Sequence, residues 1–274
     1  MPESLRRVLK NPIGLVSASV ILFLIVVSAI GPFIYVSDPF ELTMEVTAPP
    51  GGIYPLGTDD LGRDVLAGLI EGVKVSLFVG CAAAFAATVL GVAIGAIAGY
   101  VGGWVDTVIM RIAEFFQVMP TFILSVLIVS LLGPGLVRIV IVIALLSWPQ
   151  TARVARGEVL RVSQLDFVDS ARCMGISAPR ILLGEVIPNA TAPALALATL
   201  IMAHAILLEA SLSFLGLSSP DIISWGRMLS TGQHHLFTAW WLSVFPGLAI
   251  FITVLAFNLL GDALGDALNP RRSR

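Results

Sequence analysis

Asp59, Asp60 and Asp64, in the stretch GTDDLGRDVLAGLIEG, are the carboxylates best spaced for paired general acid and base chemistry. The plainer reading makes them solvated groups around Arg63, with Thr58 or Asp59 capping a short amphipathic helix within 57–72. His204 and Glu209 could contribute to a metal site, but they lack the H-E-x-x-H spacing and no second histidine lies near in sequence. Interhelical hydrogen bonding or the lining of an aqueous path suits both residues better. His234 and His235 read as the end of a loop rather than a copper or nickel site. Cys81 and Cys173 stand in separate stretches without CxxC spacing or a histidine partner, so neither a disulfide nor a metal centre is expected. Glu114 can pair with Arg111 three residues earlier or face an aqueous path. No G-x-x-x-x-G-K-[ST] loop occurs, and no catalytic, cofactor-binding or metal-binding residue is expected in this chain.

The elements that hold these groups are apolar. Hydrophobic residues make up 57% of 274 and charged residues 12%, against about a quarter charged in soluble domains, and mean hydropathy is +0.95. The composition predicts an all-α polytopic membrane protein in a lipid bilayer, without a nucleic-acid partner. Continuous apolar blocks of about twenty residues or more read as helices, whereas a barrel would alternate in segments of about ten. Six crossings are expected, at 13–35, 75–100, 108–132, 136–152, 181–214 and 244–260. The first is too long for a signal peptide and lacks a clean cleavage pattern, so it is expected to remain. In organisation, 1–35 holds the basic N-terminus and first span, 36–72 an acidic external segment, 73–270 a core of five spans, and 271–274 a basic tail. Within that core, 153–180 is a cytoplasmic segment and 215–239 an external one.

Gly80, Ala84, Ala87, Gly91, Gly95 and Gly99 recur at spacings of three and four, which predicts close backbone approach across a helix interface. Pro188 and Pro193 predict a kink or tilt in the fifth span. Trp225, Trp240 and Trp241 suit an interfacial belt. Cations decide the orientation. Arg6, Arg7, Lys10, Arg111, Arg153, Arg156, Arg161, Arg172, Arg180, Arg271, Arg272 and Arg274 fall on one side, and Arg63, Lys74, Arg138 and Arg227 on or near the other. The positive-inside rule then puts both termini and the segment 151–180 in the cytoplasm.

That segment is a polar island between spans. Read as a helix, 164–175 brings Phe167, Ala171 and Met174 onto one face, while Asp169 and Arg172 can pair on another. Gly175 would end the helix, and Ser177 could cap the next one, with Pro179 in its first turn. A helix of this kind can dock on a soluble partner, rest on lipid or fold against its own bundle; its mixed charges are not those of a polybasic lipid binder.

The chain resembles the permease subunits of bacterial ATP-binding-cassette importers of the dipeptide, oligopeptide and nickel type, in the shorter subunit of the pair. The resemblance covers nearly the whole length. It rests on PLGTDDLGRDVLAGLIEGVKVSLFVG at 55–80, GYVGGWVDTVIMR at 99–111, GPGLVRIVIVIALLSWPQTARVARGEVL at 133–160, DFVDSARCMGISAPRILLGEVIPN at 166–189, EASLSFLGL at 209–217, SWGRML at 224–229 and FPGLAIFITVLAFNLLGDALGDALNP at 245–270.

The resemblance implies a type I importer permease fold in the cytoplasmic (inner) membrane. It implies four kinds of partner: a second, homologous permease, two ATPase subunits that use ATP and Mg2+, an extracytoplasmic substrate-binding protein, and lipid. The cargo implied is dipeptides or oligopeptides, with nickel or another small solute as the alternative. It also implies a coupling helix entering a groove of the ATPase, here Phe167, Val168, Asp169, Ser170, Ala171, Arg172, Met174 and Gly175. The family's Glu-Ala-Ala is Asp169-Ser170-Ala171 here, so two positions depart from the pattern. Glu185 replaces a common His, and Gly265 and Asn269 replace a frequent Arg and Asp. An ion-coupled secondary transporter, an ion channel or a scaffold would not account for all these blocks together.

Overall fold

The structure is a computed structural model that describes residue 8 and residues 10–268. Among these residues every extended regular element is a helix, with isolated bridges at Gly51–Tyr54 and Thr58–Asp64 in the loop before the second span. Arg6, Arg7, Asn269, Arg271, Arg272 and Arg274 lie outside the described residues.

Helix α1, Pro12–Ile34, starts at Asn11, whose side chain accepts the Ile13 N–H at 3.0 Å. It buries only Gly14, Ser17 and Leu24, so it is a peripheral span. Helix α2, Val65–Val101, has 37 residues and is about 55 Å long at 1.5 Å per residue, which exceeds a hydrocarbon layer of about 30 Å. Its cap is Asp64, which accepts the Leu66 and Ala67 N–H groups at 2.8 and 3.4 Å. The expected cap at Thr58 or Asp59, with a separate short helix, is therefore corrected. Thr58 instead closes the loop by accepting the Ala48 N–H at 2.8 Å, and nothing interrupts the helix between residues 65 and 75.

The expected third span is two helices, α3, Gly103–Val118, and α4, Thr121–Leu132, bent by 90°. Pro120 has no N–H to continue the helix and disfavours helical backbone in the residue before it, and Met119 is extended at φ −75°, ψ 137°. Helix α5, Leu136–Val162, runs well past residue 152, so the first part of the polar island is helix rather than loop. Three short pieces follow: α6, Asp166–Cys173; α7, Ala178–Ile181; and, after a π turn at Leu182–Val186, α8, Ile187–Ala190. The fifth span proper is α9, Ala192–Phe214. The interruption expected from the prolines is thus a π turn before Pro188 and a break at Thr191, not a smooth kink. Helix α10, Trp225–Gly232, and a 3-10 turn at Gln233–His235 precede α11, Trp241–Leu268. Five described helices are long and apolar enough to cross a membrane, or six crossings if α3 and α4 form one broken span.

The most extensive packing joins α2 to α5. A Cβ at Gly91 would stand 2.4 Å from the Thr151 Cβ, and one at Gly95 would stand 2.3 Å from the Ala152 carbonyl oxygen. Glycine is therefore required at both positions by contact rather than by dihedral angles. Further along α2, Val79 and Ala83 are fully buried with Val129, Ile139, Ala205 and Leu212, which brings α4, α5 and α9 into one core. Trp225 and Trp241 are also buried, their indole N–H groups donating to the Leu69 and Thr58 carbonyls at 3.1 and 3.2 Å, so of the expected belt only Trp240 is exposed.

Gly95→Leu should destabilise the folded chain by about 3 kcal/mol or more through overpacking. Gly157→Ala, whose added Cβ meets nothing within 4 Å, should hold or raise stability. Thermal melting in detergent followed by size-exclusion chromatography separates the two; equal melting points would contradict the packing described.

Candidate coupling site

The polar end of the bundle is assembled around α6. After α5, the Ser163, Gln164 and Leu165 N–H groups bond back to the carbonyls of Val159, Arg161 and Val162, turning the chain at once into α6. Asp166 and Asp169 lie in its first turn and Arg172 in its last, the arrangement that complements the helix dipole. Asp169 accepts from Arg172 at 2.9 Å, and both are exposed, so the pair contributes less than about 1 kcal/mol. The Ser170 hydroxyl donates to the Asp166 carbonyl at 2.9 Å.

Val168 and Ala171 are the buried stripe of α6. They pack with Ala96 of α2, Val159 and Val162 of α5, Ile181 of α7, Val186 of the π turn and Ala190 of α8. This corrects the expected face of Phe167, Ala171 and Met174: Ala171 turns inward, while Phe167 and Met174 are 40% and 71% exposed. The turn at 163–165 centres the packed side between Val168 and Ala171, leaving Phe167 and Met174 as apolar groups facing away from the bundle.

The end of α6 is closed by backbone geometry. The Ile176 N–H donates to the Ala171 carbonyl at 3.2 Å and the Gly175 N–H to the Arg172 carbonyl at 3.0 Å, the two bonds of a Schellman motif. Gly175 has φ +76°, where a side chain is disfavoured, although nothing lies within 4 Å of an added Cβ. Ser177 occupies the N-cap position of α7 without a side-chain capping bond, and Pro179 is in the first turn.

One ion pair at this end escapes a sequence reading. Arg156 of α5 grips Asp106 of α3 with both Nε and Nη2, the second contact at 2.5 Å, and the two side chains are only 33% and 17% exposed. A two-point guanidinium–carboxylate contact fixes geometry as well as charge. The partners stand fifty residues apart, beyond any local spacing rule. On α3, Arg111 also donates to Glu114 at 3.0 Å, and both are exposed.

The other candidates fall elsewhere. His204 is exposed on α9, Glu209 is fully buried, and the Ser213 hydroxyl donates to Glu209 at 2.6 Å. Among the described residues no group of three His, Cys, Asp or Glu side chains could hold a metal. At the opposite end of the bundle, Asp59 accepts the N–H groups of Leu61 and Arg63 at 2.9 and 2.8 Å. Burial pushes its carboxyl up while those bonds pull it down. Asp64 caps α2 and accepts the Tyr35 hydroxyl, and the Tyr35 pKa is pushed up to about 12 by burial first and by that carboxylate second. Asp59 and Asp64 thus organise the loop's backbone.

Comparison with known proteins defines the class, then the family. The fold is shared with the MetNI methionine ABC transporter, solved in inward facing conformations, which matches with a TM-score of 0.61 at 18% identity over 74% of this chain and 96% of that one. The family described as "Binding-protein-dependent transport system inner membrane component" matches residues 91–274, and "N-terminal TM domain of oligopeptide transport permease C" matches residues 2–50. The dipeptide transport system permease protein DppC of Bacillus subtilis (strain 168) is 36% identical, covering 99% of this chain and 86% of that protein. The di/tripeptide transport system permease protein DppC of Pseudomonas aeruginosa (strain UCBPP-PA14) is 37% identical over 94% and 88%. The glutathione transport system permease protein GsiD of Pectobacterium atrosepticum is 34% identical over 98% and 90%. The chain belongs to this family of multi-pass inner-membrane ABC-importer permeases, the dipeptide, oligopeptide and nickel type, whose members are membrane subunits distinct from the ATPase component.

Gly175→Ala should cost about 1–2 kcal/mol in the left-handed region and raise the opened population of the α6–α7 turn about five- to thirty-fold. Limited trypsin digestion after Arg172 and Arg180 reads this out, with Gly175→Asn expected between alanine and wild type. Equal cleavage rates for all three would contradict the Schellman closure.

Proposed function

We propose that this permease carries dipeptides or oligopeptides into the cytoplasm by alternating access, and that α6 is the joint through which separate ATPase subunits drive it. The observation that carries the reading is the two-sided character of α6. One side packs against α2, α5, α7 and α8 through Val168 and Ala171, and the other leaves Phe167 and Met174 exposed. In this reading ATP and Mg2+ act in the ATPase pair, beneath this chain and a homologous second permease, while an extracytoplasmic binding protein delivers cargo on the far side. Both termini and α6 face the cytoplasm, in keeping with the cation bias of 151–180.

Closure of the ATPase dimer then pushes α6. Because its packed side touches the ends of two spans and the start of the α7–α8 segment, the displacement passes into helices rather than into a loose loop. Asp169 and Ser170 occupy the exposed rim of the joint with Arg172, and Gly175 holds its end. The peptide cargo is supported by the peptide-transporting relatives named above.

Phe167→Ala with Met174→Ala should insert normally yet weaken ATPase-subunit association about ten-fold or more, as expected when apolar anchors at an interface centre are removed. Co-purification with the ATPase subunits and substrate-stimulated ATP hydrolysis measure this; import down an ion gradient without ATPase subunits would overturn the reading. For the cargo, the cognate binding protein should bind members of a peptide panel. Tight nickel binding with no peptide binding would replace the peptide assignment.

A further inference from the structure

Glu209 is a buried acid for which the coupling joint has no use. It lies in α9 with no solvent exposure, and a carboxyl group within a membrane span is retained only where other groups answer it. Its Oε1 accepts the Ser213 hydroxyl at 2.6 Å, one turn further on. Its Oε2 has no partner at normal hydrogen-bond distance. From outside its own helix the carboxyl is approached by the start of α10, whose N-cap, Ser224, is itself fully buried.

The backbone contact at this point is as close as any in the bundle. A Cβ at Gly226 would stand 2.2 Å from the Ala210 carbonyl oxygen, so the first turn of α10 lies directly on α9 beside Glu209. Trp225, between Ser224 and Gly226, is buried and donates to the Leu69 carbonyl of α2, and a Cβ at Gly72 would stand 2.5 Å from its ring. The far end of α10 is seated as closely, since a Cβ at Gly232 would stand 2.6 Å from the Ser243 hydroxyl of α11. Helix α10 is too short to cross a bilayer and is held at both ends by spans.

We propose that Glu209 is a positioning residue, forming with Ser213 and Ser224 a polar latch that fixes α10 to the outer part of α9 so that the two move as one body. The proposal rests on the reading of α6 as the driven joint. Displacement entering at α7 and α8 travels up α9, and it reaches α10 only if the contact at Glu209, Ala210, Ser224 and Gly226 survives. The free lone pairs of Oε2 leave the carboxyl able to accept the Ser224 hydroxyl while Oε1 keeps Ser213, and an acidic group at the N-terminus of α10 also answers the partial positive charge there. The latch thus joins the polar joint at one end of the bundle to the short helix α10 at the other.

The test uses the complete complex, with Cys81 and Cys173 replaced by serine and spin labels at Leu207→Cys on α9 and His234→Cys just beyond α10. Pulsed electron resonance reads their separation without nucleotide and with ATP and vanadate. The latch predicts one narrow distribution that shifts by less than about 2 Å between the two states, compared with about 5 Å for a one-turn helix ratchet. Glu209→Ala should broaden it and make it state-dependent, Ser224→Ala should do the same, and the double variant should be no worse than either, as for residues of one unit. Glu209→Gln, which keeps an acceptor for Ser213 in the same shape, should restore the narrow distribution; a destabilised fold would not be rescued in this way.

A wild-type separation that shifts by about 5 Å, or Glu209→Ala leaving it narrow and unchanged, would overturn the latch. A third label at Met174→Cys, read against Leu207→Cys, separates the two ideas. A motionless α6 counts against the coupling reading alone, because the Glu209→Ala comparison without nucleotide still decides the latch.

Discussion

The close backbone contact between α2 and α5 is the constraint on which the rest of the structure depends. Two helices in lipid gain little from burying apolar surface against each other, because lipid tails are equally apolar, and close packing has to supply the attraction. Gly91 and Gly95 allow it by leaving Thr151 and Ala152 in the space a side chain would fill. One consequence is the placement of Arg156. With α5 held against α2, its next turn reaches Asp106 at the start of α3, so the helix hairpin and the ion pair secure one another.

The same contact sets the floor for α6. Ala96 of α2 and Val159 of α5 meet beyond the glycine seam, and Val168 and Ala171 lie on them with Ile181, Val186 and Ala190. A short helix of eight residues has little stability of its own, and this seat, together with the Schellman closure at Gly175, supplies it. The proposed coupling role needs this arrangement: a helix free to swivel would absorb displacement, whereas one seated along its Val168 and Ala171 stripe passes it on. The π turn and the break at Thr191 separate this end from α9, so under the proposed coupling role α7 and α8 belong with the joint and α9 begins the lever.

Much of this was legible in the sequence where the membrane itself dictates the answer. Long apolar runs had to become helices, because only helices and closed barrels satisfy a backbone in lipid and a barrel alternates in short segments, and the small-residue stripe from Gly80 to Gly99 had to be an interface. The resemblance to importer permeases singled out the segment that forms α6, and Gly175 closes that helix as expected. Features that depend on distant partners were not legible. Asp106 and Arg156 meet across fifty residues, and the span expected at 108–132 was read straight through Met119-Pro120, where the chain bends by 90°. The inward face of α6 was mis-centred because Phe167 and Val168 are adjacent apolar residues, and periodicity within so short a helix does not tell which one meets the bundle. Trp225 and Trp241 went astray for a related reason: an indole suits both an interface and a core, and only the nearby Leu69 and Thr58 carbonyls decide between them.

The central claim is that α6 is seated on its own bundle by Val168 and Ala171 and offers its outer side to an ATPase subunit. Cysteine placed singly at positions 168 and 174, with Cys81 and Cys173 replaced by serine, tests it directly by bifunctional cross-linking and maleimide labelling of the assembled complex. The account predicts that the cysteine at 174 cross-links to the ATPase subunit and reacts with impermeant maleimide only from the cytoplasmic side once that subunit is removed. The cysteine at 168 should stay unreactive throughout. Reactivity at 168 equal to that at 174, or cross-links from 174 to the permease alone, would contradict it.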